Sequence, residues 1–271
     1  MSELDIIKET PSPRTRASLA HDLRQLGVLP GMTLIVHSSL RSLGWVCGGS
    51  VTVVHALMDV VTADGTIVMP TQTGGLSDPA KWENPPVPQE WWQVIYDAMP
   101  VFDPQTTPSY GMGQIVETFR TWPGVVRSYH PQVSFAAWGR HARFITEGHT
   151  LENSLGEGSP LARIYDLDGW VLLVGVGYDS CTSFHLAEYR APGAKEEILG
   201  APMLENGQHV WKHYRDIEIN SDIFPKIGAD FEQTGLVKIA KVGSATTRLF
   251  SQRQGVDFAV GWLTWERSQG R

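Results

Sequence analysis

The stretch from Val171 to Arg190 carries residues whose types and spacing suit acid–base chemistry. It reads VLLVGVGYDSCTSFHLAEYR, an apolar run that ends in glycines and continues into a helical pattern. The apolar run predicts a buried strand, and the helical pattern places His185 and Glu188 on one face, three residues apart. Asp179 lies in the turn between the predicted strand and the predicted helix. A histidine with a carboxylate just past the carboxyl end of a strand is typical of a catalytic base.

Other interpretations of this stretch stay open at this point. A His-x-x-Glu pair on a helix also occurs as a solvated surface pair. Cys181 lies four residues before His185, so a Cys–His nucleophile pair is a further alternative. The zincin pattern His-Glu-x-x-His is absent, and we therefore predict no metal site.

The glycine-rich loop after the first predicted strand is a second candidate site. Residues 37–50 read HSSLRSLGWVCGGS, which is neither a Walker A motif nor Gly-x-Gly-x-x-Gly. Its hydroxyls, backbone amides and helix start suit a phosphate or the amide groups of a pantetheine arm. The alternative is a tight strand-to-helix turn that needs glycine only for its geometry.

The elements that must position these residues predict an α/β fold. Apolar runs predict strands at residues 33–36, 66–69, 134–138 and 171–174, and helical periodicity predicts helices at 15–27, 50–62, 89–98, 112–120, 160–165, 224–234 and 245–263. The order strand, glycine loop, helix, strand over residues 33–69 indicates a βαβ unit. We expect a mostly parallel central sheet with flanking helices and an additional antiparallel or helical C-terminal part, in which residues 210–219 form a strand.

Length and composition bound the class of protein. The 271 residues, 42% hydrophobic and 19% charged, are typical of a globular protein with a sizeable core. We predict one domain over residues 1–271, with residues 74–110 as an inserted, substrate-side excursion. The net charge of −7 disfavours nucleic acid and favours a cationic partner. Two cysteines, no membrane-length apolar run and no signal peptide predict a cytoplasmic protein with no membrane partner.

Six segments together go beyond composition. In chain order they are VHSSLRSLG (36–44), MPTQT (69–73), FDPQTTPSYGMG (102–113), TWPGVVRSYHPQVSFAAWG (121–139), GEGSPLARI (156–164) and LDGWVLLVGVGYDSCTSFHLAE (167–188). The chain resembles the aminoglycoside 3-N-acetyltransferase family over about residues 15–265. The resemblance implies an antibiotic N-acetyltransferase fold distinct from the GNAT fold, acetyl-CoA as the acetyl donor, and a role in antibiotic resistance.

The resemblance also implies roles for individual residues. His185 would be the general base, with Glu188 or Asp179 holding its ring. The cofactor-binding residues would be Ser38, Ser39, Leu40, Gly44, Gly48, Gly49, Thr71, Thr73, Tyr110, Met112 and Gly113. The substrate-binding residues would be Glu157, His130, Asp78 and Trp82. A structural hydrogen bond is the alternative for His130, loop stabilisation for Glu157, and burial of a lid for Trp82.

The chemistry of acetyl transfer requires such parts independently of the resemblance. An amine attacks a thioester only when it is unprotonated, and an imidazole with an ordinary pKa of about 6.5 accepts a proton near neutral pH. The thioester oxygen becomes anionic at the tetrahedral stage and needs hydrogen-bond donors, for which the Thr73 hydroxyl and loop amides are candidates. We expect direct transfer to the 3-amino group of a 2-deoxystreptamine aminoglycoside, without an acyl-enzyme.

Rival functions stay open. They are acylation of a different amine in secondary metabolism, CoA binding without turnover, and metal-dependent hydrolysis. Both a monomer and a homodimer fit the sequence.

Overall fold

A mixed seven-stranded sheet forms the centre of the computed structural model, which describes residues 2–270. The strands are β1 Thr33–Ser38, β2 Thr66–Pro70, β3 Val126–Arg127, β4 Phe135–Gly139, β5 Trp170–Val174, β6 Glu196–Glu205, β7 Gln208–Ile217, β8 Lys238–Val242 and β9 Ala245–Ser251. The α-helices are α1 Glu3–Glu9, α2 Arg16–Leu26, α3 Gly49–Val61, α4 Trp92–Ala98, α5 Gln114–Arg120, α6 Ala142–Thr146, α7 Pro160–Asp166, α8 Ser183–Arg190, α9 Phe224–Glu232 and α10 Gln252–Ser268.

Within the seven-stranded sheet, the three central strands pair in parallel. The sheet order is β3-β4-β2-β1-β5-β9-β8, and β1 pairs in parallel with both β2 and β5. The strands on either side pair antiparallel. Because β1, β2 and β5 run in one direction, the loops that leave their carboxyl ends lie at one edge of the sheet.

Each face of the sheet is covered by its own hydrophobic core. Alternate side chains of a strand point to opposite faces, so Leu34 and Val36 pack with α2 and α3, whereas Ile35 packs on the other side. The second face carries α7, α8, α9 and α10, and its core includes Phe184, Phe224 and Phe250. Helix α8, which bears His185, therefore packs on the same face of the sheet as Ile35.

A two-stranded antiparallel sheet, β6 with β7, stands apart from the main sheet. Beside it, residues 74–110 form two 3-10 turns and α4 around a small cluster of Leu76, Met99 and Phe102. Trp211 of β7 packs against this cluster. The hairpin and residues 74–110 thus support each other.

The predicted α/β class, the parallel β1–β2 unit and the antiparallel C-terminal strand are confirmed. The prediction of one helix over residues 245–263 is wrong, because residues 245–251 form β9 and the helix begins at Gln252. Gly243, with φ +57°, starts the turn between β8 and β9, and β-branched Thr246 and Thr247 suit a strand. Over residues 2–270, no helix is both long and apolar enough to cross a membrane.

Candidate active site

His185 and Glu188 form a buried pair on α8. Nδ1 of His185 lies 2.5 Å from Oε2 of Glu188. A carboxylate only accepts hydrogen bonds, so Nδ1 of His185 is the donor of this pair, and in the neutral imidazole Nε2 is the nitrogen that carries the lone pair. The other Glu188 oxygen, Oε1, accepts a hydrogen bond from the backbone amide of Asn220 at 2.9 Å. The ring of Phe224 packs edge-on against the His185 ring, with 4.8 Å between the two ring centroids. The imidazole is therefore held in one tautomer and one orientation.

A cavity of about 310 Å³ opens beside this pair. It is lined by residues at the carboxyl ends of the three parallel strands: His37 and Ser38 at the end of β1, Gln72 after β2, and Val176, Asp179, Ser180, Thr182 and His185 after β5. Asp179 also lines it, but is exposed, and the carboxylate that contacts the His185 ring is that of Glu188. The cavity offers an imidazole base at a sheet edge where a substrate can enter.

A larger cavity of about 820 Å³ runs along the loop after β1. Ser38, Gly111 and Met112 line both cavities, so the two meet there. The loop is tied to the end of β5, since the Ser39 amide donates to the Val174 carbonyl at 2.9 Å. The Ser42 hydroxyl likewise donates to the Gly175 carbonyl at 3.0 Å. A Cβ on Gly175 would lie 2.3 Å from that of Ser42, so this approach requires glycine.

His37 is a second imidazole of the smaller cavity. Burial, together with the neighbouring His185, lowers the pKa of His37 to about 3. Its Nε2 atom is buried and has no hydrogen-bond partner within the part of the chain that the structure describes. His37 is thus a neutral side chain beside the candidate base.

Cys181 is not suited to act as a nucleophile. Its side chain is fully buried, and burial raises the pKa of its thiol to about 12. Because the thiolate is the reactive form, this geometry argues against a Cys–His pair.

The sequence profile described as aminoglycoside 3-N-acetyltransferase matches residues 35–264. The chain belongs to this family of acyltransferases.

Three relatives show how far the similarity extends. The "SPbeta prophage-derived aminoglycoside N(3')-acetyltransferase-like protein YokD" of Bacillus subtilis (strain 168) is 52% identical over 259 residues, 95% of each chain. The crystal structure of YokD superposes with a TM-score of 0.97 at 50% identity, covering 98% of this chain and 99% of that one. AAC-IIIb in a binary complex with CoASH has a TM-score of 0.84 at 31% identity, covering 94% and 98%. AAC-VIa bound to sisomicin has a TM-score of 0.85 at 31% identity, covering 94% and 99%.

Seven of the residues assigned to the cofactor from the family resemblance line the larger cavity: Ser38, Ser39, Leu40, Gly44, Gly49, Met112 and Gly113. Four do not. Gly48 precedes α3 as its N-cap with φ +82°, and Tyr110 is 77% exposed. Thr71 is buried, its hydroxyl 3.0 Å from that of Ser134 and accepting from Arg127 Nε at 3.0 Å.

The Thr73 hydroxyl is engaged within the protein. Thr73 is buried and lines neither cavity, and its hydroxyl donates to the Pro131 carbonyl. A hydroxyl has one proton to donate, so this one is not free to stabilise an oxyanion.

The four residues assigned to the acceptor substrate are engaged in internal contacts. The Glu157 carboxylate accepts from Arg190 Nε at 2.6 Å, and this pairing lowers its pKa. His130 is buried, and its Nδ1 accepts from the amides of Gln132 and Val133 at 3.1 and 3.0 Å. Glu157 alone lines a cavity, one of about 710 Å³ with Tyr189 and Tyr214.

Asp78 and Trp82 stabilise the excursion itself. Oδ1 of Asp78 accepts from the Tyr96 hydroxyl at 2.7 Å and caps the turn at residues 79–81. Trp82 packs on the Leu76 cluster and donates to the Ser77 hydroxyl at 2.8 Å. These contacts are of the kind expected from the structural alternatives for His130, Glu157 and Trp82, and Asp78 is likewise engaged within residues 74–110.

Arg41 and Trp45, which belong to the predicted loop of residues 37–50, also line the larger cavity. Other lining residues were not predicted: Gln114 lines the larger cavity with Glu3 and Ile6 of α1, and Ser221 lines the smaller one. Nothing in the spacing of α1 or of Ser221 marks them. Within residues 2–270 no cluster of three or more His, Cys, Asp or Glu is arranged to hold a metal ion.

Proposed function

We propose that this protein transfers the acetyl group of acetyl-CoA to the 3-amino group of a 2-deoxystreptamine aminoglycoside, with His185 as general base. The observation that carries the proposal is the junction at Ser38 between the 820 Å³ cavity and the cavity of the His185–Glu188 pair. Family membership supports acetyl transfer, and the CoASH complex of AAC-IIIb supports the donor.

Acetyl-CoA would occupy the larger cavity. Its pantetheine arm would follow the backbone and hydroxyls of Ser38, Ser39 and Leu40, opposite Met112. Arg41, on the same cavity, brings a positive charge for the phosphates. The thioester would then reach the junction at Ser38, within the cavity that His185 lines.

The transfer is a direct displacement. Nε2 of His185 takes a proton from the acceptor ammonium, and the freed nitrogen pair attacks the thioester carbonyl carbon. As the carbon–sulfur bond breaks, the His185 imidazolium gives its proton to the CoA sulfur, which leaves as thiol, and the second proton of the nitrogen passes to solvent water. The Glu188 carboxylate stabilises the imidazolium that forms in between.

The class of acceptor substrate is proposed from the charge of the chain and from a relative. The net charge of −7 favours a polycationic amine, and AAC-VIa, a relative of this chain, binds sisomicin. We propose that the chain acts as one acetyltransferase domain with residues 74–110 on the acceptor side. Acetylation removes a positive charge from an aminoglycoside, which is the basis for a proposed role in antibiotic resistance.

The test uses the purified full chain with acetyl-CoA and gentamicin, kanamycin, neomycin or apramycin, following release of free CoA thiol. The proposal predicts thiol release with at least one of them and a product acetylated at the 3-amino group by NMR. Release that is insensitive to a chelator would exclude metal-dependent hydrolysis. No release with any of the four would reject the proposal.

A second function, acylation of a different amine, is favoured by the Glu157–Arg190 pair. Arg190 neutralises a carboxylate that a polycationic substrate would use, and its guanidinium also stacks on Tyr165 at 4.0 Å. Thiol release with simple amines but with none of the aminoglycosides would select this function. Binding of acetyl-CoA without any release would indicate a CoA-binding protein.

A further inference from the structure

His37 is a polar residue of the smaller cavity that the proposed reaction does not use. It is the penultimate residue of β1, is 7% exposed, and lines the cavity together with His185. Its Nε2 atom is buried and unpaired among residues 2–270. Buried polar atoms of native proteins nearly always have partners, so an imidazole with an unpaired nitrogen, on a residue that lines a cavity, is available to a group bound there.

The charge state of His37 fits a hydrogen-bond donor. With a pKa of about 3, lowered first by burial and then by His185, the imidazole is neutral under any working condition. A neutral imidazole carries one N–H and can donate to a carbonyl oxygen without transferring a proton. Because His37 is neutral, it places no positive charge beside His185 when His185 becomes an imidazolium.

The position of His37 fits the thioester carbonyl. His37 pairs with Leu173 and Ser38 with Val174, so both lie beside the end of β5, the strand that leads into the loop before α8. Ser38, the next residue, lines both cavities and marks where the thioester would arrive. The Thr73 hydroxyl is already engaged by Pro131. His37 and Ser38 thus line the smaller cavity, whereas Thr73 lines neither of the two cavities.

We propose that the imidazole of His37 donates a hydrogen bond to the thioester carbonyl oxygen of acetyl-CoA, and to the oxyanion that this oxygen becomes. The acceptor nitrogen forms its bond to the carbonyl carbon, the electron pair of the carbonyl moves to oxygen, and it returns as the carbon–sulfur bond breaks. His37 keeps its proton throughout. This inference rests on the proposed function, because it requires acetyl-CoA in the larger cavity.

Kinetics of two variants give the first test. His37→Phe removes the donor but keeps a planar ring, and His37→Gln restores an N–H on a shorter planar group. We expect kcat of His37→Phe to fall by about 10²–10³, as on loss of one oxyanion donor, with KM for acetyl-CoA little changed. Gln should recover part of the loss. His21→Gln, which removes an imidazole from an exposed site on α2, is the control for losing a histidine.

Infrared spectroscopy gives a readout that a merely structural role would not move. Acetyl-CoA labelled with ¹³C at the thioester carbonyl is bound to the full chain without an acceptor. The carbonyl stretch should shift to lower wavenumber on binding to the wild type and to His37→Gln, and should stay at its free position in His37→Phe. Calorimetric titration with acetyl-CoA and thermal unfolding establish that each variant is saturated and folded.

The outcomes separate this inference from the proposed function. An unchanged shift in saturated His37→Phe, or a kcat close to that of the wild type, would overturn the role of His37. Wild-type protein that fails to bind acetyl-CoA would overturn the proposed function itself. Wild-type protein that binds acetyl-CoA but acetylates no aminoglycoside would leave the infrared test fully applicable.

Discussion

At the scale of single residues, the chemistry depends on how Glu188 holds His185. One carboxylate oxygen accepts from the imidazole and the other from the Asn220 amide, at 2.5 and 2.9 Å. Both atoms are buried, so water does not compete for them. The carboxylate thereby keeps the proton on Nδ1 and leaves Nε2 available to take another.

Glu188→Gln tests this arrangement. The amide oxygen of glutamine can still accept from Asn220, whereas its NH₂ group faces His185 Nδ1 and favours the opposite tautomer. Nε2 then carries the proton and cannot act as a base, so kcat should fall by about 10²–10⁴. The measurement is thiol release at saturating acetyl-CoA. Glu147→Gln, which changes an exposed carboxylate outside both cavities, is the control. Equal rates for the two variants would reject the orienting role of Glu188.

At the scale of elements, Arg127 of β3 connects the excursion to the sheet. Its guanidinium donates to the Thr71 carbonyl at 2.7 Å and to the Thr107 carbonyl at 2.5 Å. It also lies over the Phe102 ring at 4.8 Å. Burial lowers the pKa of Arg127 to about 10, and the group still carries its charge near neutral pH. The Arg127 side chain therefore connects residues 102–107 to Thr71, the residue that follows β2.

Arg127→Met should loosen this connection. The substitution keeps an apolar stem but leaves the Thr107 carbonyl without its donor and the Thr71 carbonyl with only the Ser134 hydroxyl. This loss costs about 1–3 kcal/mol of the free energy of unfolding. Amide hydrogen exchange of residues 102–110 should become faster than in the wild type, while that of α3 stays unchanged. Arg16→Met, which breaks an exposed pair with Asp59, is the control. Unaltered exchange in residues 102–110 would contradict the role of Arg127.

Local patterns predicted the elements that carry the chemistry. The strand ending at Val174 and the His-x-x-Glu spacing are encoded within 20 consecutive residues, so the pair could be found from sequence. Asn220 and Arg190 could not, because their contacts with Glu188 and Glu157 join segments 32 and 33 residues apart. The β8–β9 hairpin was missed because the pattern of residues 245–251 continues without a break into the helical pattern of α10.

At the scale of the whole molecule, the stability should depend on three buried histidines. Burial lowers the pKa values of His37, His130 and His149 to about 3, 4 and 3. His130 and His149 pack against each other at 4.8 Å. The unfolded chain, with ordinary imidazole pKa values of about 6.5, binds protons that the folded protein does not.

The sign of the pH dependence follows from this difference. The contribution of these histidines to the free energy of unfolding should be complete above about pH 6.5. It should decrease as the pH falls below this value, because the unfolded state then binds more protons than the folded state. Each histidine contributes about 1.4 kcal/mol per pH unit, so the three together give about 4 kcal/mol per unit near pH 5. Urea unfolding between pH 7.5 and 5 measures the slope. His149→Asn should reduce it, and a constant free energy of unfolding over this range would refute the prediction.

The central claim is that His185 is the base of an acetyl transfer, and His185→Ala tests it most directly. Steady-state thiol release with saturating acetyl-CoA and an accepted amine gives kcat, and calorimetry gives the Kd of CoA. We predict that kcat falls by about 10²–10⁴, whereas the Kd stays near the wild-type value because His185 does not line the larger cavity. A folded His185→Ala variant with undiminished kcat would contradict the claim.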